Sequence, residues 1–405
     1  MVMYMNKKIW NMKVKSVLMV VTLTAIGGCL VQEDPFKEII FGNMEQCITP
    51  IRKISLHVSP GGISTTEDGS SFGVAGGDIY LFNNDGELLW TREGVGSTYA
   101  LLLSDGIALL AESYNKEESW KSTIVKLDSQ GNTLWERQTG LIGLDGLAVV
   151  PDGSFIAVGA TDQEKKGHLM LFDQDGNKLW DHQIDGRIET VAVSKNGYVV
   201  AGPRDRYIYL YDRNGELIFE YFANSDYDIQ DTAIASDETF FLFGSEHKYL
   251  NCYTLKGDLL WQKETGSLCN IRISADGEYI AVGTADSTLF LFDKNGNKLW
   301  GKKVTDAFYI EEVAISAHGE YIAINTVRGF FLPTLYLDVY SKEGELLWQY
   351  EGNQPFMAIA MSDDGHYIAA GNQNTLVFFD NFQAIEEYAS SKCAQEDKVL
   401  MFYRI

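Results

Sequence analysis

The chain has 405 residues, 45% apolar and 12% aromatic, which is ample for a packed core and excludes a low-hydrophobicity disordered polymer. A formal net charge of −23 disfavours nucleic-acid binding and electrostatic adsorption to anionic lipid, both of which draw on clustered lysine and arginine. With 38 glycines against 7 prolines, the composition suits many tight turns between short strands.

Residues 1–28 read as a secretory signal peptide: Lys7, Lys8, Lys13 and Lys15 with no acid, an apolar run from Val17 to Ile26, then small residues. That run is about ten residues, short of the roughly 20 that cross a bilayer core as a helix. Setting its four lysines aside leaves −27 on the rest of the chain. The stretch Ile26-Gly27-Gly28-Cys29 resembles the lipobox of bacterial-type lipoproteins. The resemblance implies lipidation of Cys29, a lipidated tether over 29–52, and an exported, membrane-anchored protein on a periplasmic or extracellular face.

From there a repeat runs down the chain. YLFNNDGELLW, VKLDSQGNTLW, MLFDQDGNKLW, YLYDRNGELIF, NCYTLKGDLLW, FLFDKNGNKLW and DVYSKEGELLW share one pattern, with an aromatic four positions after each glycine. These aromatics are Trp90, Trp135, Trp180, Phe219, Trp261, Trp300 and Trp348, read as packing residues between successive units. A second element, as in ISADGEYIAVG, precedes each one and occurs eight times; its turn positions include Gly197, Gly277, Gly319 and Gly365, and Glu238 in the copy that has lost its glycine. The eighth copy is followed by TLVFFDNFQAIEEY, read as a worn outer strand with Gln383 in the glycine place and Glu387 in the tryptophan place.

Each unit predicts four strands: a short apolar one, a Ser-x-Asp-Gly turn, a β-branched one, an alternating one, an Asp-x-x-Gly turn, and a last strand carrying the aromatic. A four-stranded meander cannot bury both faces alone, so the units must stack into a ring. The predicted fold is all-β, an eight-bladed β-propeller of four-stranded antiparallel blades over 53–390, with a C-terminal tail at 391–405. In this reading the innermost strand comes first and the outer one last, leaving no strand exchanged between the ends to close the circle.

The Asp-x-x-Gly-x-x-Leu-Trp element resembles the docking repeat of quinoprotein-like (PQQ-like) propellers, and Ser-x-Asp-Gly-x-Tyr-Ile-Ala-Val-Gly is similar to WD-repeat propellers. A lipobox ahead of such a propeller resembles the lipoprotein subunit of the outer-membrane β-barrel assembly machinery. What that implies is a non-catalytic interaction scaffold with protein partners in the envelope. No quinone cofactor is expected, since the chain has no Cys-Cys pair.

Candidate chemistry is sparse. Beyond Cys29, the chain holds Cys47, Cys252, Cys269 and Cys393, which allow three pairings; a Cys47 to Cys393 disulfide would staple the ends of the ring. The six histidines are scattered and none stands in metal-ligand spacing, so no metal, cofactor or catalytic residue is assigned. Asp226, Asp228 and Asp231 read as solvated loop acids, lacking the glycine and late glutamate of an EF-hand.

Strand alternation puts both glycine turns on one face. The other face carries insertions at Tyr114–Ser122, Thr161–Gly167 and Val327–Thr334. Trp120, Phe330 and Phe331 fall in those insertions, and Tyr99, Tyr227, Tyr309 and Phe356 near the starts of inner strands, giving a candidate partner-binding rim. The alternatives are a propeller-fold hydrolase or sulfotransferase using acids around the channel, or a lipoprotein that binds a glycan or peptide there.

Overall fold

The computed structural model describes residues 48–56, 61–103, 106–115, 119–204, 206–223, 229–245, 248–305, 307–328, 334–352, 356–372 and 374–390. Six four-stranded antiparallel sheets and one six-stranded sheet are formed. In the last, two long runs each serve twice. Ser71–Asn83 pairs with Gly62–Thr65 through 72–75 and with the next run through 77–82, while Leu88–Leu103 pairs backward through 88–92 and forward through 97–103. That sheet is therefore two blades, and the total is eight.

Blade 1 spans 62–93, blade 2 97–138, blade 3 143–184, blade 4 188–222, blade 5 229–264, blade 6 268–303 and blade 7 307–352. The first strand of each touches the first strands of its two neighbours. The chain of contacts closes where Gly62–Thr65 meets Phe356–Met361 of blade 8. The molecule is an eight-bladed propeller.

Blade 8 departs from the expected ending. Phe356–Met361, Tyr367–Asn372 and Thr375–Asp380 are its first three strands, but the fourth is Arg52–Ser55 from the other end of the chain, with Arg52 opposite Phe378 and Ser55 opposite Thr375. A strand exchanged between the ends thus closes the circle. The residues read as a worn outer strand form a helix, Asn381–Ser390. The cause is local: Asp380 Oδ1 accepts the N–H groups of Phe382 and Gln383, each at 3.0 Å, which caps a helix, and no glycine follows to take the left-handed turn. Ile48 is buried beside Ala384 and Tyr388, and the Thr49 N–H donates to Glu387 Oε2 at 3.1 Å, so both ends of the fold meet at this seam.

The recurrent aromatics bridge consecutive blades. The indole N–H of Trp90, Trp135, Trp261 and Trp300 donates to the carbonyl of Ser129, Gln174, Lys294 and Lys342, each two residues before the turn glycine of the next blade, at 2.7–3.0 Å. Their rings cover that glycine. Gly344 has φ +82, and a Cβ there would stand 2.9 Å from Trp300, so the turn demands glycine twice over. Phe219 covers Gly257 in the same way without a hydrogen bond to give. Trp180 covers Gly215, but its buried N–H has no partner among the described residues, and His182 Nε2 meets the Gly215 carbonyl instead at 2.9 Å. Trp348 donates to Asn381 Oδ1 at 2.6 Å at the head of the helix. In blade 8 the docking position falls to Arg52, beside Gly86 of blade 1.

Candidate recognition site

Every inner strand is a sheet edge, and its channel-side N–H groups need acceptors. In four consecutive blades a polar side chain seven residues before the turn position supplies one to its neighbour. Thr190 Oγ1 accepts the Thr232 N–H at 3.2 Å, Asp231 Oδ2 that of Ile271 at 2.7 Å, Asn270 Oδ1 that of Val313 at 3.3 Å, and Glu312 Oε2 that of Ile359 at 3.1 Å. The result is a polar staircase along the channel wall from blade 4 to blade 8.

Arginines neutralise its acids. Arg272 lies 3.1 Å from Asp231 and 3.5 Å from Glu312, and Arg187 lies 2.6 Å from Asp145. Glu189 stands between Arg187 and Arg204 and pairs with both. Burial pushes the Glu312 carboxyl up to about 7 against the pull of Arg272, and burial likewise raises Asp145. Asp231 thus sits on an inner strand as a structural acceptor, which corrects its reading as a solvated loop acid. Pairing with a buried backbone N–H and an arginine is what holds it there. Asp226 and Asp228 lie outside the described residues.

The hairpin-bearing face differs from the expected row of loops. In blade 2 the ladder runs on to Tyr114 opposite Trp120 and Asn115 opposite Ser119, so most of the Tyr114–Ser122 insertion is paired strand. Thr161–Gly167 is a tight turn: Asp162 Oδ1 accepts the N–H groups of Glu164 and Lys166, and Lys165 takes φ 66. In blade 7 the ladder of Tyr321–Arg328 and Thr334–Ser341 runs into the Val327–Thr334 insertion, with Val327 opposite Leu335 and Arg328 opposite Thr334. Its base is clamped by Arg328, which pairs with the fully buried Asp338, donates to Gln349 at 3.2 Å, and stacks 4.4 Å over the Tyr336 ring. Burial raises the Asp338 carboxyl to about 6.

Of the candidate rim, Tyr99, Tyr309 and Phe356 lie on inner strands and Trp120 on the blade 2 hairpin. Tyr309 is half-buried on a strand with two bulges. The side chains of Tyr99, Trp120 and Phe356, and all of Tyr227, Phe330 and Phe331, fall outside the described residues, as do Cys29, Cys47 and Cys393. Cys269 is on the first strand of blade 6, and Cys252 is buried, its thiol pushed up by desolvation into an inert state. Among the described residues no group of three His, Cys, Asp or Glu could hold a metal ion.

On the opposite face, the inner-strand ends of blades 3 to 6 enclose a depression of about 240 Å³, with Val193, Ile234 and Ile273 on its wall and Ser194, Ser236 and Ser274 at its rim. Backbone bonds link its turns from blade to blade, Asp276 N–H to Ala317, Ala317 N–H to Asp363, and Asp363 N–H to Glu67, at 2.7–3.1 Å. Glu238 joins blades 4 and 5 by accepting the Asn196 N–H at 2.8 Å. The channel staircase escaped sequence reading, although its polar residues recur at a fixed distance from the turn.

Residues 163–288 match a family of unknown function, DUF5711. No curated protein matches. Among solved structures, the chain is similar to Chaetomium thermophilum Sqt1 bound to the N-terminus of the ribosomal protein L10, with TM-score 0.64, 14% identity, and coverage of 82% of this chain and 100% of that one. It is also similar to Sqt1 from the same organism solved by itself, with TM-score 0.66, 13% identity, and coverage of 82% and 99%. The computationally designed Ika8 protein gives TM-score 0.63, 15% identity, and coverage of 81% and 98%. These likenesses show a propeller fold of the kind expected from the WD-like element.

Proposed function

We propose that the chain is a non-catalytic protein-interaction scaffold, anchored to a membrane through Cys29, that takes an envelope or surface partner on its hairpin-bearing face. The observation that carries this reading is the contrast between the two faces. One is closed by tight turns linked blade to blade, whereas the other projects the blade 2 and blade 7 hairpins from a rigid ring, the latter clamped by Arg328 and Asp338. Elements held rigidly at the rim bind with little ordering cost. The Sqt1 neighbour, described as bound to the N-terminus of a ribosomal protein, supports a protein ligand for a propeller of this shape. The relation to the barrel-assembly lipoprotein and to quinoprotein-like propellers rests on the repeat and the lipobox.

Affinity purification of the tethered protein from its native membrane, beside a Trp120→Ala, Phe330→Ala double variant, tests the reading. Loss of a co-purifying protein in the variant is the expected result. An unchanged set of partners together with turnover of a hydrolase or sulfotransferase substrate panel would sink it. Cys29→Ala is expected to move the protein from the detergent phase to the aqueous phase on partitioning.

A further inference from the structure

The outer strand of each blade ends its sheet, so one row of its backbone N–H and C=O groups faces outward, a template for a further strand. Most of these edges are guarded. Residues 88–93, 133–138, 178–184, 259–264 and 298–303 each carry at least two Lys, Arg, Asp or Glu. The outer strand of blade 7 has one, but the helix Asn381–Ser390 packs beside it, leaving Leu346 and Leu347 half-buried and Trp348 and Tyr350 buried.

Among the described residues, nothing guards or covers the outer strand of blade 4. Its outer strand Leu217–Phe222 reads LIFEYF, with Glu220 its single charge, and Leu217, Ile218 and Phe222 are 48%, 37% and 40% exposed. Three residues after the docking aromatic, the other blades carry Glu93, Gln138, Gln183, Glu264, Lys303 and Glu351; blade 4 carries Phe222. Its ring is fixed against Tyr207, 4.9 Å between centroids, and lies 5.4 Å from the Arg206 guanidinium.

We propose that Leu217–Phe222 receives an extended segment of a partner protein by strand addition, the segment carrying alternating apolar side chains and basic flanks. Strand addition answers both features of the edge at once, the unpaired backbone row and the exposed apolar side chains. Charge favours the occupant: Asp212 and Glu216 in the preceding turn and Glu220 within the strand outnumber Arg206 and Arg213 beside it, and a net charge of −23 opposes a second copy while attracting a cationic segment. The molecule completes blade 8 in the same manner, with an added strand that begins Arg52-Lys53. This edge is separate from the hairpin-bearing face.

The test uses a fluorescently labelled peptide, Lys-Arg-Thr-Ile-Thr-Val-Thr-Lys, titrated into the full chain, with the same peptide N-methylated at alternate amides as control. Saturable binding is expected, weakened at least roughly tenfold by N-methylation and by an Ile218→Lys, Phe222→Lys variant that melts as the parent does. Glu220→Lys, which leaves the apolar residues in place, is expected to weaken binding less, in a salt-dependent way. No saturable binding up to about 1 mM, or equal binding by the methylated peptide or by the double variant, overturns the proposal. A parent dimer in sedimentation that the double variant abolishes assigns the edge to a second copy and overturns it too.

Discussion

Asp231 of blade 5 reaches across the channel wall to blade 6, where its Oδ2 accepts the Ile271 backbone N–H at 2.7 Å and meets Arg272 at 3.1 Å. Ile271 is buried, so removing the acceptor leaves a donor without water and Arg272 with Glu312, at 3.5 Å, as its remaining carboxylate. Asp231→Ala is therefore expected to destabilise the ring by about 2 kcal/mol in chemical denaturation. Asp231→Asn keeps an acceptor in place and is expected to cost less. Equal losses for the two variants would remove the capping role.

The docking tryptophans differ in one bond. Trp300 donates to the Lys342 carbonyl at 2.7 Å, whereas the Trp180 N–H has no partner among the described residues. Replacement by phenylalanine keeps most of the ring over the turn in both cases. Trp300→Phe is expected to lower stability by about 1 kcal/mol more than Trp180→Phe, since only the first gives up a hydrogen bond. Thermal melts of the two variants side by side read the difference.

At the seam, the fully buried Asn381 serves two masters, accepting from Trp348 at 2.6 Å and donating to the Gly365 carbonyl at 2.8 Å. Asn381→Ala strands both partners and is expected to cost about 2 kcal/mol. Because the helix covers the outer strand of blade 7, hydrogen exchange should rise first in 346–352 and 381–390. Exchange rising uniformly around the ring would contradict a local seam.

The repeat was legible because its two signals are chemical necessities. A left-handed turn wants glycine, and the next blade's turn wants a flat ring to cover it, so glycine and tryptophan recur four residues apart. Ring closure was hidden for the same reason. Arg52–Ser55 has neither signal, and only its pairing with Thr375–Asp380 identifies it as a blade strand. The worn repeat at 381–390 kept the sequence spacing but lost the glycine, and Asp380 turned it into a helix. On the hairpin-bearing face, insertion length was visible, but whether an insertion is loop or ladder depends on cross-strand partners such as Tyr114 and Trp120, which no local pattern states. The staircase of Thr190, Asp231, Asn270 and Glu312 recurs seven residues before the turn, a period open to view once the inner strand is known to be a polar edge.

The closing strand should behave as a latch for the whole ring. Arg52–Ser55 offers four pairs where the outer strands of blades 2 to 7 offer five or six, and only Ile54 of its four residues is even half-buried. Ile54→Pro removes a ladder donor and its apolar contact against the cluster around Phe72 and Phe378. A loss of about 3 kcal/mol is expected. Protease cleavage is expected to speed up at 48–56 before any other site. Cleavage that begins elsewhere would mean that the ring does not open at this strand.

Glu312 gives the fold a pH dependence whose sign is fixed by its surroundings. Burial raises its carboxyl from 4.5 to about 7, so between those values the folded chain binds a proton that the unfolded chain has released. Its contribution to stability is therefore full below pH 4.5 and is lost as pH rises through 7, by on the order of 3 kcal/mol. Arg272 opposes the shift, and Glu311 and Asp231 reinforce it. Asp338, raised from 3.8 to about 6 by burial, acts in the same direction over a lower window. Glu312→Gln keeps an acceptor for the Ile359 N–H and cannot ionise. Its unfolding free energy relative to the parent is expected to improve from pH 5 to pH 8, flattening the parent's fall with pH. Parallel curves for the two proteins across that range would show that Glu312 titrates in the fold as it does in the unfolded chain.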